Sequence, residues 1–361
     1  MRKLGALLLA VSMGLVGPVG LRGAEAAALK TEVAAGAKST AVVATVKATP
    51  KPKRLSRAER KAQREQEAAR LAEEAARQAA EAKARQEALE RETARRAALE
   101  ELLKQPVELE LTCRRAILVD GKTGLVLYNK AADEPWHPAS TTKIMSALMI
   151  LEQGRLEDRT TVSSSATALY GGYHSNWLWP GMSFTIEQLL HILLIESDNA
   201  SCNTLAEYLD GTQDKFVERM NKRAGEMGLA AHFTTPYGHT AEQHYVTARD
   251  LYLIAKACME YPAFRAIVRK PSYHLSTRDL DVTYRNRNQF VGNDPRVLGV
   301  KTGYTSAAQC NLVCYAEEEG KSLYTVVMGS PRRGIDYSYP DSKKLLDYGF
   351  KLLKEAEKAG K

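Results

Sequence analysis

Three short groups of residues in this sequence could together activate a serine and hold the anionic end of a peptide: Ser140-Thr141-Thr142-Lys143, Ser197-Asp198-Asn199 and Lys301-Thr302-Gly303. A serine hydroxyl is a weak nucleophile until a base removes its proton. Positions i and i+3 share a helix face, so Lys143 can reach Ser140 Oγ. Such a lysine must be neutral part of the time. Burial and a second cation close by, for which Lys301 is the candidate, would lower its pKa. Ser197 offers a hydroxyl that can pass a proton to a departing amine, and Asn199 a carboxamide that can hold Lys143 and a substrate backbone together. Lys301 and Thr302 offer a charge and a hydroxyl donor to a substrate carboxylate. Gly303 lets an extended substrate backbone approach a strand. The backbone N–H groups of Ser140 and Tyr304 are the candidate oxyanion donors. Taken singly, each group has an ordinary reading as a helix cap, an interhelical turn or a hairpin turn. Their joint occurrence, in this order, points to acyl transfer through a serine.

These groups need elements to carry them. Ser140 to Glu152 reads as a buried helix begun near Pro138, with Ile144, Leu148 and Leu151 on one side. Ile186 to Glu196 reads as an apolar helix that ends at the second group. Val297 to Thr302 reads as a strand that carries the third. Ala116 to Asp120 and Leu125 to Asn129 form a predicted hairpin about the Gly121 to Gly124 turn. Further helices are expected at Asp214–Met227, Ala248–Glu260 and Asp341–Glu355, and strands at Asn311–Ala316 and Leu323–Met328. Strands at both ends with helices between predict an α+β domain, an antiparallel sheet packed by helices.

The expected organisation has four parts. Residues 1–28 read as an export signal: a basic start at Arg2 and Lys3, an apolar run from Leu4 to Gly17, and small-residue cleavage sites at Ala24-Glu25-Ala26 or Ala26-Ala27-Ala28. An uncleaved anchor is the alternative. Residues 29–55 read as a disordered low-complexity linker. Residues 56–105 read as one long charged helix, opened by the capping pattern Ser56-Arg57-Ala58-Glu59 and closed by Pro106, about 70 Å long. Its leucines, Leu71, Leu89, Leu99, Leu102 and Leu103, form no sustained seam, so a solvated spacer is expected before a weak coiled coil or a partner-binding helix. Residues 106–361 are the expected globular domain.

Charge and cysteine usage narrow the function. The chain of 361 residues carries a net charge of +8, of which residues 1–29 hold +2 and residues 30–105 hold +6, leaving residues 106–361 neutral. A neutral domain without a basic, aromatic-interleaved stripe excludes nucleic acid as the expected partner. Five cysteines in an exported chain leave at least one unpaired. Cys310 and Cys314 are four residues apart on one predicted strand, about 13 Å, which is too far for a bridge. No essential disulfide is expected. His239 and His244 lack zinc-protease spacing, and no Cys/His cluster fits a metal. The histidines read as surface or packing residues.

With these residues in view, the chain resembles the penicillin-recognising serine acyl-transferases, and within them the D-alanyl-D-alanine carboxypeptidases, the low-molecular-mass penicillin-binding proteins. The likeness covers roughly residues 110–352. Trp136-His137-Pro138-Ala139-Ser140-Thr141-Thr142-Lys143 is similar to the family's nucleophile segment, and Leu189 to Leu205 to its second motif. His232-Phe233, Gly238 and Ala248-Arg249-Asp250 resemble its middle region. Gly299 to Thr305 with Asn311-Leu312-Val313 resembles its third motif and following strand, and Leu345 to Phe350 its closing helix. The resemblance implies a β-lactamase/transpeptidase-like fold and removal of the terminal D-alanine from peptidoglycan stem pentapeptides through an acyl-enzyme at Ser140. It assigns Ser140, Lys143, Ser197 and Asn199 to catalysis and Lys301, Thr302, Gly303 and Tyr304 to substrate binding. It implies no cofactor and no metal, inhibition by β-lactams, and a place in peptidoglycan biosynthesis and cell shape in the periplasm or extracytoplasmic wall space. Departures stand beside it. The family's second motif often has Gly in the middle and an acid after Asn, where this chain has Asp198 and Ala200. Arg332 and Arg333 fall near a family carboxylate-binding Arg at a different spacing. Leu352 to Lys361 is too short and mixed for an amphipathic anchor, so membrane or protein contact is expected of the N-terminal helix, acting as a spacer. A DD-endopeptidase would use the same site. A class A β-lactamase would need a Glu-x-x-Leu-Asn segment, which Glu218-Arg219-Met220-Asn221 does not supply. A non-catalytic wall-binding protein would need no paired nucleophile and base.

Overall fold

The computed structural model describes residues 55–105, 107–169, 175 and 177–359. The expected export signal and nearly all of the expected linker lie outside these residues. The chain divides at Leu71 into two units. The described part of the first is the beginning of helix α1 (Arg57–Leu102). Within α1, Ser56 Oγ accepts the Glu59 N–H and Glu59 caps Ser56 N–H in return, as the capping pattern requires. Exposed i,i+4 pairs such as Arg77–Glu81 and Arg96–Glu100 supply a few tenths of a kcal/mol each, roughly.

The second unit is built on a five-stranded antiparallel sheet ordered β2-β1-β9-β8-β7, where β1 is Arg115–Asp120 and β2 Val126–Lys130, and β7, β8 and β9 are Val297–Thr305, Gln309–Glu318 and Lys321–Ser330. First and last parts of the sequence thus share one sheet, and β7 is an edge strand. Both faces are covered. In β1, Ile117 and Val119 join one apolar cluster and Ala116 and Leu118 the other, the period-two alternation of a strand buried on both sides. The second face packs the C-terminal helix Ser338–Ala359, through Leu345, Leu346, Phe350 and Leu353, together with Leu99 of α1.

On the first face lie the helices. A 3-10 turn, Ala139–Thr142, runs into α2 (Lys143–Leu151). A small ribbon, β3 (Arg159–Thr161) with β4 (Ser183–Thr185), flanks the short α3 (Ser164–Thr167). Then come α4 (Ile186–His191), a π turn (Ile192–Glu196), α5 (Asn199–Asp210), α6 (Gln213–Glu226), α7 (Ala248–Met259) and α8 (Pro262–Val268). The hairpin β5–β6 (Ser272–Ser276 and Asp281–Arg285) precedes β7.

Three expectations change. The helix expected from Ser140 starts instead as a 3-10 turn, after Ala139 takes a left-handed φ of 49°. The helix expected over Ile186–Glu196 splits into α4 and the π turn, and ends at Ser197 with φ 67°. The second motif, expected at the end of that helix, also starts the next one: Asp198 Oδ1 accepts the Ser201 N–H at 2.6 Å and caps α5 from Asn199. The β5–β6 hairpin went unseen because nearly all of its residues are at least partly exposed, leaving only Leu275 and Tyr284 as buried signal.

The last turns of α1 are integral to the packing. Arg95 donates from one guanidinium nitrogen to both carboxylate oxygens of Asp120 at 3.1 Å, and Asp120 is fully buried. Leu99 is 0% exposed. Removing one partner of a buried pair leaves an uncompensated charge. Arg95→Ala is therefore expected to lower unfolding stability by about 3 kcal/mol, read by urea denaturation. Stability equal to the parent protein would show that α1 merely rests on the surface.

Candidate active site

The three motifs meet where the 3-10 turn, the start of α5 and the edge strand β7 converge. Lys143 is fully buried. Its Nζ donates to Ser140 Oγ at 2.9 Å, to Asn199 Oδ1 at 2.7 Å and to the Tyr237 carbonyl at 3.1 Å. Lys301 is also buried, and its Nζ donates to Ser197 Oγ at 2.8 Å and to the Thr302 carbonyl at 3.1 Å. Ser140, Ser197, Asn199 and Thr302 are only partly buried. The residues that carry hydroxyls and carboxamide are thus partly open, and the two lysines that donate to them are buried.

Burial decides the electrostatics. Loss of hydration pushes Lys143 down from its ordinary value to about 8, against a smaller opposing pull that includes Asp198. Desolvation first, and then the charges of Lys143 and Arg287, hold Lys301 well below the usual lysine range, with Glu196 opposing. The second cation invoked from sequence therefore matters less for Lys143 than its dry surroundings. Lys301 Nζ is engaged by Ser197, and of the two carboxylate-facing candidates only Thr302 is partly exposed.

Residues outside the motifs fix this arrangement. Asn311 on β8 donates from Nδ2 to the carbonyls of His137 and Pro138, both at 2.9 Å, and accepts from Gly329 N–H. Trp136 Nε1 donates to the Ala308 carbonyl. Asp198 accepts from Ser175 Oγ at 2.7 Å while capping α5. Thr240 and Thr305 hydroxyls meet at 2.8 Å, and Thr142 Oγ1 meets His244 Nε2 at 2.9 Å. Two glycines mark backbone contacts. A β-carbon on Gly238, at φ 92°, would lie 1.9 Å from the Ala139 oxygen. One on Gly303 would lie 2.7 Å from the Pro138 oxygen and 3.1 Å from Ser140 N. The edge strand therefore runs against the backbone of the nucleophile turn, with Tyr304 next along it. Arg332 stacks its guanidinium 4.8 Å from the Tyr304 ring centre. Sequence reasoning singled out neither Tyr237, which acts by its carbonyl, nor the role of Asn311. A buried asparagine within an apolar strand was the available signal for the latter.

A family profile described as D-alanyl-D-alanine carboxypeptidase matches residues 101–332. The chain belongs to this family. Among its relatives, the D-alanyl-D-alanine carboxypeptidase DacF of Bacillus subtilis is 33% identical over 257 residues, 68% of this chain and 64% of its own length. DacA of Escherichia coli, of the same description, is 33% identical over 249 residues, 66% of this chain and 60% of its own. The chain spans somewhat less than two thirds of these two relatives. The crystal structure of the DD-transpeptidase of Streptomyces K15 superposes with a TM-score of 0.64 at 28% identity, covering 68% of this chain and 100% of that one. The carboxypeptidase-family fold is accordingly the antiparallel sheet with helices described above. All five cysteines of this family member are buried free thiols.

The close approach at Gly303 yields a test. Gly303→Ala must move β7 or the nucleophile turn, and displacement of about 1 Å costs roughly a hundredfold in rate. Covalent labelling by a fluorescent penicillin is expected to slow to that extent while the variant stays folded by circular dichroism. Labelling at the parent rate would mean that the strand is not held against the turn.

Proposed function

We propose that the protein is a serine D-Ala-D-Ala carboxypeptidase that removes the terminal D-alanine of peptidoglycan stem pentapeptides. The observation that carries this reading is the Lys143 ammonium, buried and shared between Ser140 Oγ and Asn199 Oδ1. With a pKa of about 8, about a tenth of the lysine is neutral at pH 7, enough to serve as a base. Neutral Lys143 takes the Ser140 proton as Oγ attacks the carbonyl carbon of the penultimate residue. The oxyanion is received by the N–H groups of Ser140 and Tyr304. Collapse breaks the C–N bond. Ser197 gives its proton to the departing amine and is resupplied by Lys301 across their 2.8 Å hydrogen bond. Deacylation runs the relay backward: water attacks, its proton passes through Ser197 to Lys301, and Lys143 returns a proton to Ser140.

Asn199 orients Lys143 and the substrate backbone. Thr302, with the positive potential of Lys301 behind it, receives the terminal carboxylate, and Gly303 keeps the strand open to an extended peptide. Arg332 adds an exposed guanidinium beside Tyr304. β-Lactams would acylate the same serine. Neither metal nor cofactor enters this scheme. Residues 1–28 are read as the export signal that would deliver the enzyme to the wall space, and residues 29–105 as a linker and helical spacer before the catalytic domain. Among the described residues no helix is long and apolar enough to cross a membrane.

The test is D-alanine release from a synthetic stem pentapeptide. Ser140→Ala is expected to lower kcat by at least about a thousandfold and to abolish the penicillin adduct seen by intact mass. A folded parent protein that releases no D-alanine, or an active Ser140→Ala variant, would overturn the reading. Cleavage of cross-linked dimers in preference to pentapeptide would reassign it as an endopeptidase.

A further inference from the structure

Residues 233–246 pack against the turn that carries Ser140 and the start of α2. The Tyr237 carbonyl accepts from Lys143, the Pro236 carbonyl from Ser146 Oγ, and Gly238 lies beneath Ala139. At the end of this segment His244, 1% exposed, bridges two partners. Its Nδ1 lies 3.1 Å from the backbone nitrogen of Thr234, whose N–H points at it, and 3.0 Å from the Thr234 hydroxyl. A backbone N–H can only donate, so Nδ1 is the acceptor and the ring proton resides on Nε2. Nε2–H therefore donates to Thr142 Oγ1 at 2.9 Å. Burial, followed by the neighbouring His137, His232 and His239, holds the imidazole down to about 3, so it stays neutral.

Thr142 sits at a junction. Ser140 lies in the 3-10 turn, Lys143 opens α2, and Thr142 is the residue between the two geometries. Its side chain is fully buried and makes no cap hydrogen bond to α2. Its hydroxyl instead faces His244 and Gly238. A rotation at this junction would change the separation of Ser140 Oγ and Lys143 Nζ directly. We propose that His244 is a positioning residue for acylation: by holding Thr142 it fixes the step from 3-10 turn to helix, and with it the nucleophile–base distance. This rests on the reading of Ser140 as the acylated serine.

The test uses the full chain with five variants: His244→Leu, which removes the ring's hydrogen bonds to Thr142 and Thr234, Thr142→Val, which removes one acceptor at constant shape, their double variant, His244→Gln, whose amide can both accept and donate, and His232→Gln as the control. The reading is the second-order rate of labelling by fluorescent penicillin, with kcat and KM for D-alanine release. Each single variant is expected to slow acylation by about tenfold to a hundredfold, chiefly in kcat. The double variant should be no slower than the worse single, because both singles already lose the same Thr142–His244 hydrogen bond. His244→Gln should recover most of the rate, and His232→Gln should leave it unchanged. A parent-like rate in folded His244→Leu, or multiplicative losses in the double variant, would overturn the proposal. Should His244→Leu fail to fold, Thr142→Val decides alone. Nitrogen-15 histidine NMR of the parent protein supplies a readout independent of activity. An Nε2–H tautomer for His244 whose signal shifts in Thr142→Val is expected. A ring protonated on Nδ1, or titrating near the ordinary histidine value, would contradict the strut even if Ser140 is acylated, whereas a protein with the expected tautomer and no acylation would sink the functional reading instead.

Discussion

An ammonium group taken out of water must either find acceptors or shed its proton, and the surroundings of Lys143 press it toward both. Three oxygens meet it, from a hydroxyl, a carboxamide and a carbonyl. None carries a formal charge, so hydration is replaced without restoring the ordinary affinity for a proton. Several separate parts of the second unit build that arrangement. The sheet supplies Asn311 and Gly303, the start of α5 supplies Asn199, and the segment before α7 supplies the Tyr237 carbonyl. Lys301, the second buried lysine, is held down in the same way, first by its own desolvation and then by the charge of Lys143.

The fold explains how residues distant in the sequence reach one point. Ser140 and Gly303 meet because the edge strand passes directly over the nucleophile turn, at a separation only glycine permits. The left-handed φ values at Ala139 and Ser197 sit at the two motif entrances. Both are non-glycine residues, and such backbone conformations persist where surrounding contacts over-determine them. Here Asn311 grips the carbonyls before Ser140, and the Asp198 cap fixes the chain just after Ser197.

Much of this was legible in the sequence because the relevant signals are local. The β1–β2 hairpin, the C-terminal helix and the sheet strands announce themselves through apolar runs bounded by glycine. The reach of Lys143 to Ser140 follows from helical spacing, although the turn between them proved to be 3-10 before α. What stayed hidden depends on tertiary contact. Nothing local distinguishes His244 from a surface histidine, since its partners at Thr142 and Thr234 are brought to it only by folding. The same holds for Tyr237, which contributes a carbonyl that any residue carries, and for Leu99, whose helix reads as wholly solvated until the C-terminal helix and β1 are beside it. Burial and a second cation both follow from the sequence as causes of a low Lys143 pKa, but their relative weight depends on how dry the folded site is, and there desolvation dominates.

The central claim is that Lys143 is a base because it is dry. The most direct measurement is an NMR titration of its side chain in protein labelled at lysine with carbon-13 and nitrogen-15, with the signal assigned by its loss in Lys143→Met. A midpoint of about 8 is expected. A midpoint at the ordinary lysine value of about 10.4 would contradict the account, because the group would then be an ammonium throughout the working range and could not take the serine proton.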